Sequence, residues 1–256
     1  LFLSHDVLAV ACGSLVGFSL ALIGGGGSIL ATPLLLYVVG LKDPHLAIGT
    51  SALAVSLNAF ANLIPHARAG DVRWRAAFAF AAAGVVGAYL GSSLGKFIDG
   101  QRLLILFALL MLVIAALMMR GRHRYDSASQ PRRDMFQRLG VIGFGAGGLA
   151  GFFGIGGGFL IVPGLLFASG MSIIEAVGTS LFCVGAFGMT AALNYALSGW
   201  VAWSIAWEFV AGGIVGGWLG SWGAHKLASM RGVLSMLFAL VIVAVGLFML
   251  AKSLLL

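Results

Sequence analysis

The chain has 256 residues, of which 61% are hydrophobic and 9% charged, with a mean hydropathy of +1.07. That balance excludes a water-soluble domain, whose apolar share is roughly 45 to 50%. The formal charge of +7 sits mostly in short connections between apolar runs, so it reports orientation in a lipid bilayer and not a nucleic-acid surface. Long apolar runs without alternating strands exclude a barrel and leave an all-α polytopic membrane protein.

In chain order, the first half contains five apolar segments, at 4–23, 28–40, 45–65, 74–95 and 102–119. The first two flank "LIGGGGSILATP" at 22–33, with Gly24, Gly25, Gly26, Gly27 and then Ser28. Four glycines inside a lipid-compatible run are costly, at about 1 kcal/mol each against alanine. Residues 7–40 would make a helix of about 50 Å, too long for one crossing of a core of about 30 Å. The chain must bend at the glycines and return to its starting side, whether the two arms cross fully or form a re-entrant hairpin. Asp43 before Pro44 reads as a helix N-cap with proline at the first helical position, and Asp71 also suits an N-cap.

A polar run, "RGRHRYDSASQPRRDMFQR" at 120–138, separates the halves and reads as a basic extramembrane linker. After it the plan repeats. Gly24, Gly26, Gly27 and Pro33 correspond to Gly154, Gly156, Gly157 and Pro163 in "FGIGGGFLIVP" at an offset of 130. At an offset of 129, "AIGTS" at 47–51 matches "AVGTS" at 176–180. Gly70 and Trp74 match Gly199 and Trp203, and "GVVGAYLG" at 84–91 matches "GIVGGWLG" at 213–220. The expected organisation is a first transmembrane repeat at 1–119, the linker at 120–138 and a second repeat at 139–256. Each repeat holds a glycine-broken helical hairpin plus three transmembrane helices.

Three further spans per half is an odd number, so the repeats are expected to be inverted. With the linker cytoplasmic, Lys42, Lys96, Arg102 and Lys252 fall outside and every other lysine and arginine inside, in agreement with the positive-inside rule. The expected location is the cell (inner) membrane, with both termini outside. Cys12 and Cys183 lie in apolar runs as small buried hydrophobes. The "LAVAC" stretch at 8–12 lacks a preceding basic region, so residues 1–256 are treated as mature. Ser172 and Glu175 form an S-x-x-E capping box, and Glu208 beside Trp203 and Trp207 reads as an interfacial carboxylate. His5 and His45 are expected to face water at the outer end.

Inverted repeats with interrupted helices place solute sites at the repeat interface. The spans carry no central Lys or Arg, so an anion site must be built from backbone dipoles and neutral donors. Helices beginning at Ser28 and after Gly158 would turn their positive ends to an anion. Thr50 and Ser51, with Thr179 and Ser180, are hydroxyl candidates preserved by the repeat. Ser51, Asn58 and Asn62 share one helical face, with His66 at its cytoplasmic end. Their second-half positions are Ser180, Phe187, Ala191 and Tyr195, so the polar stripe belongs mainly to the first half; Asn194 lies close to the matching face. The alternatives are helix packing for the glycines and interhelical or back-bonded hydrogen bonds for the amides and hydroxyls.

On the two glycine-run-to-proline motifs, the paired "GTS", "GDVRW" at 70–74 and "GWVAW" at 199–203, the chain resembles the sulfite exporter TauE/SafE family of membrane permeases. The resemblance implies a transporter of sulfite, sulfonates or related small anions, usually outward. The family often carries an acidic residue before that tryptophan. Here Arg73 and Ala202 stand instead, so no carboxylate proton carrier is expected there. The implied mechanism is alternating access around a central anion pocket, with His66 the candidate coupling histidine for a proton. The partners are a small anion, such a proton and the bilayer, with no nucleic acid, metal or cofactor. A passive small-anion channel is the alternative. A hydrolase built on Ser51 and His66 is a poor reading, because 15 residues of helix separate them by about 22 Å.

Overall fold

The computed structural model describes residues 2–23, 25–120, 134–226 and 231–255, and among them the regular elements are all helical. In the first half these are α1 (Phe2–Ile23), a 3₁₀ segment (Gly25–Leu30), α2 (Ala31–Tyr37), α3 (Pro44–Arg68), α4 (Trp74–Phe97) and α5 (Gly100–Arg120). In the second they are α6 (Met135–Phe153), α7 (Gly158–Ser169), α8 (Ile173–Ala196), α9 (Trp203–Lys226) and α10 (Arg231–Leu255). Gly24 and residues 121–133 of the expected linker lie outside the described residues. Among the described residues, four stretches are long and apolar enough to cross a membrane: α3, α4, Gly100–Leu117 of α5, and α8.

Local chemistry sets the helix starts. Asp43 Oδ1 accepts from the amides of His45 at 2.8 Å and Leu46 at 3.3 Å, with Pro44 leading the helix. Its repeat mate, Ser172, forms the expected capping box: Ser172 Oγ accepts from the Glu175 amide, and Glu175 Oε2 accepts from the Ser172 amide at 3.0 Å. Gly70 and Gly199, also mates, turn the chain into α4 and α9 at φ +80° and +75°.

Both hairpins return to the end where they began. His5 Nδ1 at the start of α1 lies 2.8 Å from the Val39 carbonyl oxygen, just past α2. α1 is about 33 Å long, but its return arm of six 3₁₀ and seven α residues reaches only about 22 Å, and α7 about 18 Å. Neither return arm alone spans a core of about 30 Å. The helix expected at Ser28 starts instead at Ala31, because residues 25–30 wind as 3₁₀; α7, expected after Gly158, starts at Gly158 itself. Gly154, Gly156 and Gly157 hold φ of +63°, +66° and +65°, conformations that side chains with a Cβ adopt at a cost.

The helix pairings map onto one another when the repeats are exchanged. α4 packs along α6, and α1 along α9, in parallel register on glycine surfaces. A Cβ on Gly147 would collide with the Gly84 carbonyl, and one on Gly17 with the Gly213 carbonyl. Bare backbones in contact replace the hydrophobic drive that lipid removes. The mates α3 and α8 pack antiparallel at the centre, Gly49 facing Tyr195 and Ala52 facing Gly188. α5 and α10 also pair antiparallel, with Gln101 Nε2 donating to the Ser253 carbonyl at 3.0 Å and Gly246 against Met111. Ser56 Oγ donates across the centre to the carbonyl of its own mate, Gly185, at 2.7 Å. Cys12 and Cys183 are buried free thiols.

Candidate functional site

The two hairpins touch at the middle of the bundle and are fastened by hydroxyls. The Thr32 and Ser51 hydroxyls share a hydrogen bond of 2.8 Å, and Ser51 Oγ also lies within donating distance of the carbonyls of Ile48 at 2.9 Å and Gly154 at 3.2 Å. Ser51 on α3 thus joins the first return arm to the second glycine turn. All three residues are buried, as are Ser28, Gly27 and the stretch Gly154–Gly158. A Cβ on Gly154 would strike Ile48. One on Gly156 would meet Val184 at 2.9 Å and its mate Val55 at 3.2 Å, which puts Gly156 between the two central helices. Gly25 and Gly26 lie in the 3₁₀ segment.

The paired threonines form helix caps that cross between repeats. Thr50 Oγ1 accepts from the Ala202 amide at 2.9 Å, one residue before α9, and donates to the Leu46 carbonyl at 2.6 Å. Thr179 Oγ1 accepts from the Arg73 amide at 3.0 Å, one residue before α4. Each therefore satisfies an amide that a helix start leaves open, on the opposite half. Asp71 is not the N-cap of α4: that place belongs to Arg73, and Asp71 Oδ2 lies 3.5 Å from His66 Nδ1. Arg73 also donates through Nε to Glu175 Oε1 at 2.7 Å.

Other candidate groups have protein partners of their own. Ser180 Oγ donates to the Val177 carbonyl at 2.7 Å, the back-bonding open to any helical serine. Asn194 Nδ2 donates to Ser92 at 2.7 Å and Ser93 at 2.9 Å, tying α8 to α4. His45 is half-buried, and its ring stacks on Trp200 with centroids 4.6 Å apart.

Asn58 and Asn62 differ from all of these. Their exposures are 0% and 1%, and neither the carboxamide nitrogen nor the oxygen of either has a hydrogen-bond partner. Each group lies against a bare stretch of α9, Asn58 at Gly213 and Asn62 at Gly217. Gly213 also meets Gly17, so the amides sit where α1, α3 and α9 converge. In the other repeat Phe187, the mate of Asn58, fills the notch at Gly84, the mate of Gly213. Leaving a buried amide unbonded costs about 1 to 3 kcal/mol. His66 continues the same face toward Asp71, so α3 carries polar groups from Ser51 to its far end.

Sequence reasoning missed Thr32 and Ser56. Thr32 has a valine, Val162, as its mate, and its value lies in contacts from another helix. Ser56 had a signal: it is a polar residue whose mate is a glycine, the pairing expected where one repeat reaches into the other.

The family model for "Sulfite exporter TauE/SafE" matches residues 9–249. A "Probable membrane transporter protein" of Xylella fastidiosa (strain Temecula1) is 52% identical over 254 residues, covering 96% of this chain and 95% of that protein. The "Probable membrane transporter protein YunE" of Bacillus subtilis is 27% identical over 219 residues, with 77% and 80% covered. The corresponding MJ0441 protein of Methanocaldococcus jannaschii is 32% identical over 166 residues, with 63% and 61% covered. No solved structure matches the chain. With a match over nearly its whole length and the apolar helices to span a bilayer, this chain is a multi-pass membrane protein and belongs to the sulfite exporter TauE/SafE family of membrane transporters.

Proposed function

We propose that the protein moves sulfite, organosulfonates or related small anions across the cell membrane by alternating access, and that the Asn58–Asn62 pair binds the anion as it passes. The observation that carries this reading is the pair of fully buried carboxamides with no partner. Two amide NH₂ groups in a site without a lysine or arginine offer donors to an oxyanion without the roughly 2.5 to 3.5 kcal/mol insertion cost of a central cation. Ser51, Thr32 and the Gly154 turn form the interlock beside this path, and the repeats lie inverted in the bilayer, with the linker cytoplasmic and both termini outside. The antiparallel packing of α3 on α8 and of α5 on α10 supports that inversion. Sulfur specificity and outward direction rest on the family.

Alternating access requires the two halves to part and re-form. The interlocked hairpins, with buried turns bonded through Ser51, support a gated carrier over the alternative, a passive small-anion channel. His66, beside Asp71, is the group proposed to couple a proton to the anion.

The test is uptake of sulfite, sulfoacetate, sulfate and chloride into proteoliposomes, with and without a pH gradient. Counterflow and saturation are expected of a carrier and not of a channel. Asn58→Leu should abolish flux of the preferred anion while raising the apparent Tm in detergent, because it removes an unsatisfied buried amide. A variant that transports normally would remove the amide site from the proposal.

A further inference from the structure

At the end of the bundle where α3 begins and α10 finishes, the structure has an open cavity of about 970 Å³. Its wall carries three lysines, Lys42, Lys96 and Lys252, and two carboxylates, Asp43 and Asp99. Both carboxylates are engaged by backbone amides. Asp43 Oδ1 accepts from the first amides of α3, and Asp99 Oδ2 from the amides of Gln101 at 3.2 Å and Arg102 at 3.4 Å at the head of α5. Each carboxylate thereby faces a helix start, and the three ammonium groups of the wall outnumber the two carboxylates. Among the described residues, no lysine takes part in an ion pair. Lys96 Nζ donates to neutral acceptors, the Asn194 carbonyl and Ser198 Oγ, both at 2.8 Å, and Lys252 Nζ lies 4.6 Å from the centroid of the Tyr37 ring. The cavity is therefore cationic, and it has an aromatic side: Tyr37, and His45 stacked on Trp200.

We propose that this cavity binds small organic oxyanions, a carboxylate or sulfonate on an apolar or aromatic body, with the charged head toward Lys42 and Lys252 and the body against Trp200 and His45. Its role as the outer vestibule of a transport path rests on the function proposed above, whereas the binding itself does not. The same chemistry could be met by the phosphate of an anionic lipid, and the assignment made here is to a dissolved anion.

The probe is benzenesulfonate, titrated calorimetrically into the full chain in phosphatidylcholine nanodiscs. Lys42 and Lys252 are exposed, so the K42Q/K252Q double variant should fold normally and bind about ten-fold more weakly, with a flatter dependence on salt. Unchanged affinity in the double variant, or in K42Q and K252Q singly, would overturn the site. Inorganic sulfate should bind more weakly than benzenesulfonate, and Trp200→Ala should reduce that difference; equal affinities would overturn the role of the aromatic side. Loss of benzenesulfonate binding on adding phosphatidylglycerol would identify a lipid phosphate as the occupant and overturn the dissolved anion. Binding that persists in a protein without anion flux would remove the transport reading and leave this site standing.

Discussion

The interface of α3 with α9 and that of α8 with α4 are built on the same scaffold and filled with opposite chemistry. In the second, Phe187 drops into the notch left by Gly84 and stacks on Phe80 with centroids 6.1 Å apart. In the first, Asn58 occupies the corresponding notch at Gly213 and bonds to nothing. The phenyl is the cheaper occupant, so the scaffold had a stable solution and kept it on one side alone. The difference separates what the fold needs, a filled notch, from what it does not need, an amide. A group retained at a cost in stability is where activity is to be sought.

Removing the notches altogether is the harshest way to break the comparison. Gly147→Val would drive a branched side chain into the Gly84 backbone and should leave little folded protein by size-exclusion chromatography, while Gly145→Ala, with open space around it, should behave as the parent. Phe187→Asn would give both sides the same chemistry. It should cost about 3 to 5 kcal/mol, seen as a large fall in apparent Tm, because it opens a cavity and buries an amide together. If it matched the parent in stability, the asymmetry would be accidental.

The threonine caps offer a finer comparison, since here the two sides are alike. Thr50→Val and Thr179→Val should each cost about 1 to 2 kcal/mol by exposing the Ala202 or Arg73 amide. Similar losses of apparent Tm are expected for both, and a large effect on flux from only one would assign that hydroxyl to the solute path. At the small end, Arg73→Gln removes the ion pair with Glu175. The arginine side chain is 63% exposed, and the change should stay within about 1 kcal/mol by thermal melting in low salt.

Much of the fold could be read from the chain because its signals are local. The glycine break, the Asp43 cap and the Ser172–Glu175 box each depend on residues within a few positions of one another, and the repeat is a match of such short blocks at a near-constant offset. What could not be read depends on which helix lies opposite. Asp71 has the right identity and place for a cap, yet the amide it was expected to serve is taken by Thr179 from the other repeat, and His66 claims the carboxylate. Ser28 reads as a helix start because the glycine run ends before it, but residues 25–30 wind as 3₁₀ up to Leu30. For the candidate site, the helical spacing of Ser51, Asn58 and Asn62 gave their common face. Only the placement of α9 distinguishes the unbonded amides of Asn58 and Asn62 from that of Asn194, satisfied by two serines.

Ser56 reaching to Gly185 has a consequence for how such a molecule can change over time. Were the two halves separate identical chains, a serine at that position would face another serine across the axis, and every amide gained on one side would be gained on the other. Joining them in one polypeptide frees each half to vary alone. A hydroxyl can then meet a bare carbonyl, and one wall can turn polar while its counterpart stays greasy.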